Sequence, residues 1–301
     1  MNPLFALLLV LLLSLSGATQ EIGTLTFREG ALRVIRGSAV MQGTEGLRLN
    51  RGDIIESSEA GFAQLEFSGG TIVALGPSSG LFLFSHPAGR AGDKTVGKSD
   101  AELVLLRGWL KGETASNRTY RYLTPQLAAT TKDGTIVLHG AAEAVEVYVE
   151  SGSAGIDEVS PKGNLSRSSN AKSGQFFSRH GGKSVTAYAR PDSTFVGSMP
   201  PAFRDTLPSR LSRFSGTPPQ PKADHEVSYS EIEMWLAIAP AWRRGFVERF
   251  RPRLKDAAFR RALEDHLDSL PEWDPVLHPE KYKNAPSTND KAESPPGRYL
   301  K

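Results

Sequence analysis

The chain has 301 residues, no cysteine and a formal net charge of +3 at neutral pH. The missing cysteines exclude a disulfide framework, thiolate metal centres, a cysteine nucleophile and a lipidated cysteine. So small a charge on so long a chain gives no overall attraction to polyanions, which leaves only local clusters to consider.

The first predicted element is an export signal over residues 1–18. Its apolar core, Leu4 to Leu13, is about half of the roughly 20 residues that a membrane-spanning helix needs. Ser16-Gly17-Ala18 supplies the small residues of a cleavage site, so cleavage is expected after Ala18. No second hydrophobic run of spanning length follows. The mature chain is expected to be exported, and it is long enough to bury one or two ordinary cores.

Residues 22–190 are predicted to be all β. Turn signals recur at Glu29-Gly30, Gly43, Arg51-Gly52-Asp53, Gly69-Gly70, Gly112, Asp133-Gly134, Gly152 and Gly163. Between them lie short apolar runs such as Leu32 to Ile35, Thr71 to Leu75 and Leu103 to Leu106. Ala63-Gln64-Leu65-Glu66-Phe67 and Val145-Glu146-Val147-Tyr148-Val149 alternate strictly, which turns one face to a core and one to water. Short strands punctuated by turns imply an antiparallel sandwich, a barrel or a solenoid rather than a βαβ fold.

Residues 191–226 carry Pro191, Pro200, Pro201, Pro208, Pro218, Pro219 and Pro221 and read as a linker with little regular structure. A small α-helical region is predicted over 227–282. Ser228 with Glu231, and Ser230 with Glu233, form overlapping capping boxes that open a helix from about Tyr229 to Ala239. Trp242, Phe246 and Phe250, then Phe259, Leu263 and Leu267, are the apolar stripes of two more helices. Residues 283–301 have the composition of a disordered tail.

Four segments resemble the FecR domain, a family of periplasmic modules of Gram-negative bacteria. They are Leu49-Asn50-Arg51-Gly52-Asp53-Ile54-Ile55; Ala63 to Leu75 with Gly76-Pro77-Ser78-Ser79; Leu103 to Leu110; and Tyr122-Leu123-Thr124-Pro125 onward to Ser173-Gly174-Gln175. The resemblance covers roughly residues 23–182. It implies a periplasmic β-domain of sandwich or solenoid type. Sigma-factor control is not expected to carry over with it, because the expected export signal abuts the β-region, with no cytoplasmic segment or spanning helix expected before it.

Motifs that suggest chemistry are expected to be structural. Gly76-Pro77-Ser78-Ser79-Gly80 fits G-x-S-x-G, but a nucleophile elbow needs a helix after it, and Leu81-Phe82-Leu83-Phe84 reads as a strand. Arg51-Gly52-Asp53 matches an integrin-binding tripeptide, yet Gly52 suits a turn and Asp53 a bond to local amides. His86, His139, His180, His225, His266 and His278 show no metal-ligand spacing. Neither Glu143 with Glu146 nor Asp157 with Glu158 stands out as a general acid–base pair. Trp109, Trp235 and Trp242 are expected in the core.

The one surface candidate is basic. Arg243, Arg244, Arg249, Arg251, Arg253, Lys255, Arg260 and Arg261 face only Glu248 and Asp256 between them, with aromatic residues interleaved. Such a cluster suits an anionic membrane surface or cell-wall polymer, set against the leading expectation of a solvated helix face whose aromatics pack on the β-domain; nucleic acid is disfavoured by export. The expected function is a non-catalytic, cofactor-free periplasmic binding or scaffolding module for an envelope protein or a glycan. A periplasmic sensor acting on a membrane-bound regulator, and an envelope hydrolase, are the alternatives.

Overall fold

The computed structural model describes residues 21–84 and 99–283. The expected export signal, residues 284–301 of the expected tail and His86 lie outside the described residues. The chain is 43% strand and 21% helical, mainly β as the sequence implies.

Eight strands come first: β1 (Glu21–Glu29), β2 (Leu32–Arg36), β3 (Ala39–Gln42), β4 (Arg48–Asn50), β5 (Ile54–Ser57), β6 (Phe62–Phe67), β7 (Ile72–Leu75) and β8 (Gly80–Phe84). Three long ones follow among shorter neighbours: β9 (Ala101–Thr114), β10 (Tyr120–Leu123), β11 (Leu127–Gly140), β12 (Ala144–Val159), β13 (Leu165–Lys172), β14 (Phe176–His180) and β15 (Thr186–Tyr188). The short helix α1 (Ser193–Ser198) precedes strand β16 (Ala223–Glu226). Helices α2 (Tyr229–Leu236), α3 (Phe246–Phe250), α4 (Ala257–Asp265) and α5 (Asp274–Leu277) complete the chain.

The strands form one hydrogen-bonded network that folds into two layers. The first layer runs β15–β14–β12–β11–β9–β7–β6–β1–β4. The second runs β13–β12–β11–β10–β9–β8–β5–β2–β3–β16. Pairing is antiparallel except between β9 and β10, which run parallel. The sheet is therefore mixed rather than purely antiparallel.

β9, β11 and β12 belong to both layers, and glycine is what lets them cross. Gly108, Gly134 and Gly152 have φ of 82°, 141° and 73°, values that side chains with a Cβ rarely adopt. A Cβ on Gly152 would stand 2.2 Å from the Asp133 carbonyl oxygen, and one on Gly108 2.4 Å from Ser79 Oγ. Asp133-Gly134 and Gly152, expected as turns, are thus a facing bulge pair inside continuous strands, where an extra residue bends the ladder. Gly112 is likewise mid-strand: the Tyr122 hydroxyl lies 2.4 Å from where its Cβ would be.

The central core lies between the layers and includes Leu25, Leu65, Val73, Leu105, Ile136 and Val147, each 0% exposed. Both outer faces are also covered, by different stretches of the C-terminal third. Ile35, Ile54, Phe82 and Val104 on the second layer meet Trp235, Phe246, Phe250 and Trp273 of the helices. Ile72, Trp109, Val137 and Phe176 on the first layer meet Phe195, Met199, Phe203 and Leu207.

That second cover comes from the segment expected to be a linker. Residues 191–226 hold α1, two short 3-10 turns and β16, and they are anchored by apolar side chains at a spacing of four. The helices match the expected pattern with shorter bounds. The Ser228–Glu231 capping box is present, and α2 ends at Leu236 rather than near Ala239.

Candidate functional site

The basic region does not form one exposed patch. Arg243 is 6% exposed. It donates to the Leu236 and Ile238 carbonyls at the end of α2 and to the Ser269 carbonyl at 2.9 Å. An ion pair to Glu272 at 2.7 Å completes its surroundings. A cation at a helix C-terminus satisfies carbonyls that have no partner within the helix and complements the macrodipole.

Arg249 reaches from α3 to the sheet, donating to Ile35 and Gly37 carbonyls at 2.8 Å and to the Gly52 carbonyl. Burial lowers its pKa to about 10, with Asp53 opposing the shift, so it stays charged at neutral pH. Arg253 ties α4 to the segment before α2 through the Val227 carbonyl and Asp256, both at 2.7 Å. Arg251 pairs with Glu248, and Arg260 with Glu264 and the Leu277 carbonyl. Only Arg244, Lys255 and Arg261 are exposed with no side-chain partner among the described residues.

This partition gives a measurable contrast. Arg243→Gln and Arg249→Gln are each expected to destabilise the fold by about 2–4 kcal/mol, because each strands several carbonyls. The combined Arg244→Gln, Lys255→Gln and Arg261→Gln variant should stay within about 1 kcal/mol of wild type. Denaturant midpoints at a common slope check both.

The remaining motifs sit as local structure. Asp53 is 1% exposed; it takes two bonds from Arg36, at 2.9 and 2.7 Å, and one from the Asn50 amide at 2.8 Å. Gly52 has φ 89° in the β4–β5 turn. Gly76 to Gly80 joins β7 to β8, strand to strand. The Ser79 hydroxyl is buried: it donates to the Trp109 carbonyl at 3.0 Å and accepts the Trp109 amide at 2.8 Å.

The described histidines stand apart. His139 bonds Glu146 at 2.9 Å and stacks on Trp109, ring centroids 4.1 Å apart. His266 stacks on Tyr229, and His278 lies near Asp274 and Glu280. No three His, Asp or Glu side chains form a metal-ligand group among the described residues. Trp109, Trp235 and Trp242 are all core, at 7%, 0% and 5% exposure.

Two polar constellations escaped sequence reading. The first binds the α2 face to the sheet. Glu56 accepts from Trp235 Nε1 at 2.9 Å and from the Arg33 guanidinium, which also bonds Glu231 at 2.8 Å. Glu231 in turn holds His225 of β16 at 2.9 Å and the Ser228 amide at 2.8 Å. Burial opposes ionisation of Glu231, but the Ser228 amide, His225 and the Ser228 hydroxyl outweigh it and bring the carboxyl down to about 2.

A carboxyl depressed in the folded state stabilises above its ordinary value of 4.5 and loses that contribution as pH falls toward about 2. Glu231→Gln is therefore expected to be less stable than wild type at pH 7. The gap should narrow steadily below pH 4.5, as read by urea melts at stepped pH.

The second constellation holds the strap over the first layer. Lys111, 0% exposed, donates to the Phe203 carbonyl at 2.8 Å and the Asp205 carbonyl at 2.9 Å and pairs with Glu150 at 2.9 Å. Glu113 accepts the Leu207 amide, Gln64 donates to the Pro208 carbonyl, and Glu66 accepts from Ser209 and the Arg210 amide. Burial works against ionisation of Glu66, yet these bonds leave its pKa lowered. Gln64 and Glu66, expected to face water, are buried because the strap covers them.

The chain is thus a two-layer mixed β-framework with a strap on one face and helices on the other. No family model matches it, and no curated protein sequence does. Two solved structures, at 2.50 and 1.65 Å resolution, are similar; both are described as a "putative anti-sigma factor" from Parabacteroides distasonis ATCC 8503. Each aligns with a TM-score of 0.36, at 13% and 14% identity, over 48% of this chain. The match spans 62% of those chains, less than two thirds of their length. At that similarity, a functional reading has to come from this chain's own residues. No described helix is long and apolar enough to cross a membrane.

Proposed function

We propose that this chain is a non-catalytic binding or scaffolding module of the periplasm, whose partner is an envelope protein that docks at a sheet edge. One observation carries the reading. β16 ends the second layer, pairs only with β3 among the described strands, and has all four residues exposed. A terminal strand offers a row of unpaired backbone amides and carbonyls, the template for adding an extended segment of another chain. The edge is also firmly seated: the Val227 amide bonds the Ser38 carbonyl at 2.8 Å, and Gln42 bonds Asp224 at 3.1 Å.

The lack of a reaction centre in this reading is supported by what the reactive side chains do. Ser79, Asp53, Glu56 and Lys111 are each held by internal bonds that their removal would leave unmet. Periplasmic location rests on residues 1–18 alone.

Site-specific photocrosslinking tests the proposal in intact cells of the source. A crosslinker at Asp224 should give one discrete protein adduct, while one at exposed Asn117, in the β9–β10 turn, should give none. The same ladder of adducts from both positions, or no adduct from Asp224, would overturn it.

A further inference from the structure

A cleft of about 530 Å3 lies between the end of α2, three sheet turns and the bend of β9. Its volume falls within the range of about 300–1,000 Å3 typical of small-molecule sites. Met234, Ala237, Ile238 and Ala239 form one wall. Leu106, Pro125, Ala141, Ala142 and Pro161 form much of the other. Small apolar side chains around an open volume leave space that the protein itself does not fill.

Three polar residues break this lining, Arg107, Gln126 and Ser160, of which Ser160 already accepts the Asn164 amide at 3.1 Å. Arg107 is exposed at the bend of β9 beside Gly108 and has no ion-pair partner among the described residues. Of the arginines just described, Arg243, Arg249 and Arg253 are fixed on carbonyls; Arg107 is not. Gln126 is held differently: its side-chain oxygen is buried with no donor among the described residues. Its backbone is held, the carbonyl accepting from Arg179 at 2.6 Å and from the Val159 amide at 2.8 Å.

We infer that this cleft binds a small amphipathic anion, an apolar body bearing one carboxylate, sulfonate or phosphate that meets Arg107. The apolar body displaces water from the Ala and Pro walls, and the guanidinium offers paired donors to the anionic head. Met234, 45% exposed at the rim, has the unbranched, adaptable side chain suited to irregular ligands.

The probe is 1-anilinonaphthalene-8-sulfonate, which combines an apolar ring system, a sulfonate and one N–H, titrated by fluorescence against the full chain. Saturable one-site binding is expected, weakened about tenfold or more by Arg107→Gln and abolished by Ala142→Trp, which fills the cleft from an exposed turn. Arg244→Gln, beside a smaller apolar cleft, should leave the affinity unchanged. Neutral N-phenyl-1-naphthylamine should bind wild type and Arg107→Gln equally. Non-saturable binding, or affinity unaffected by Ala142→Trp, would overturn the site. Loss on Ala142→Trp with none on Arg107→Gln would overturn its preference for an anion. Thermal melts matching wild type confirm that each variant is folded when it is scored.

Discussion

Trp235→Ala is expected to destabilise the protein by about 4 kcal/mol, within the range of large buried aromatic truncations. Trp235 is 0% exposed and packs edge-on against Phe82 of β8, ring centroids 6.4 Å apart. Its ring also lies 3.0 Å from where a Cβ on Gly80 would stand, so any larger residue at 80 would press on the indole. Truncation would open a cavity under α2 and leave Glu56, 6% exposed, without its indole donor. Trp235→Phe separates the two contributions: it keeps most of the packing and removes the N–H, for an expected loss of about 1–2 kcal/mol. Denaturant unfolding of the two variants, followed by far-ultraviolet dichroism, measures both. A loss below about 1 kcal/mol for the alanine variant would mean that the helices contribute little to holding the second layer.

The β class was legible because strands announce themselves locally. Val145 to Val149 alternates in sequence and in burial alike, with the three valines buried and Glu146 and Tyr148 half-buried. Where a glycine falls within a strand, the same local signal misleads: Gly134 and Gly152 read as turns because glycine is a common turn residue, and both do take positive φ. What sets them inside strands is their pairing with each other across a hairpin, which no local window contains.

The strap shows a related blindness. Proline-rich composition implies a linker when backbone groups are assumed to face water, but here Lys111, Glu113, Gln64 and Glu66 supply the partners. The recurrence of Phe195, Met199, Phe203 and Leu207 at intervals of four was the available sign of an anchored segment. Arg243, Arg249 and Arg253 were hidden from the sequence for the same reason. Arg249 counts as surface charge until its acceptors, 214 and 212 residues earlier at Ile35 and Gly37, come into view.

Lys111→Met is the sharpest test of whether the strap is part of the fold. An ammonium at 0% exposure carries a desolvation cost that Glu150 and two strap carbonyls offset together. Methionine removes that cost but leaves the Phe203 and Asp205 carbonyls without donors and Glu150 without its cation. Breaking a fully buried pair costs about 3–5 kcal/mol; Glu150 is 34% exposed, so the low end, about 3 kcal/mol, is expected after allowing for solvent. Glu150→Gln alone should cost about 1 kcal/mol, because it leaves the carbonyl bonds in place. The two variants also part on proteolysis. Lys111→Met should open the bonds after Arg204 and Arg210 to trypsin while the sheet survives, since local release needs less free energy than global unfolding. Glu150→Gln should not. Equal resistance of both variants at those two sites would show that the apolar anchors at Phe195, Met199, Phe203 and Leu207 hold the strap without help from the buried lysine.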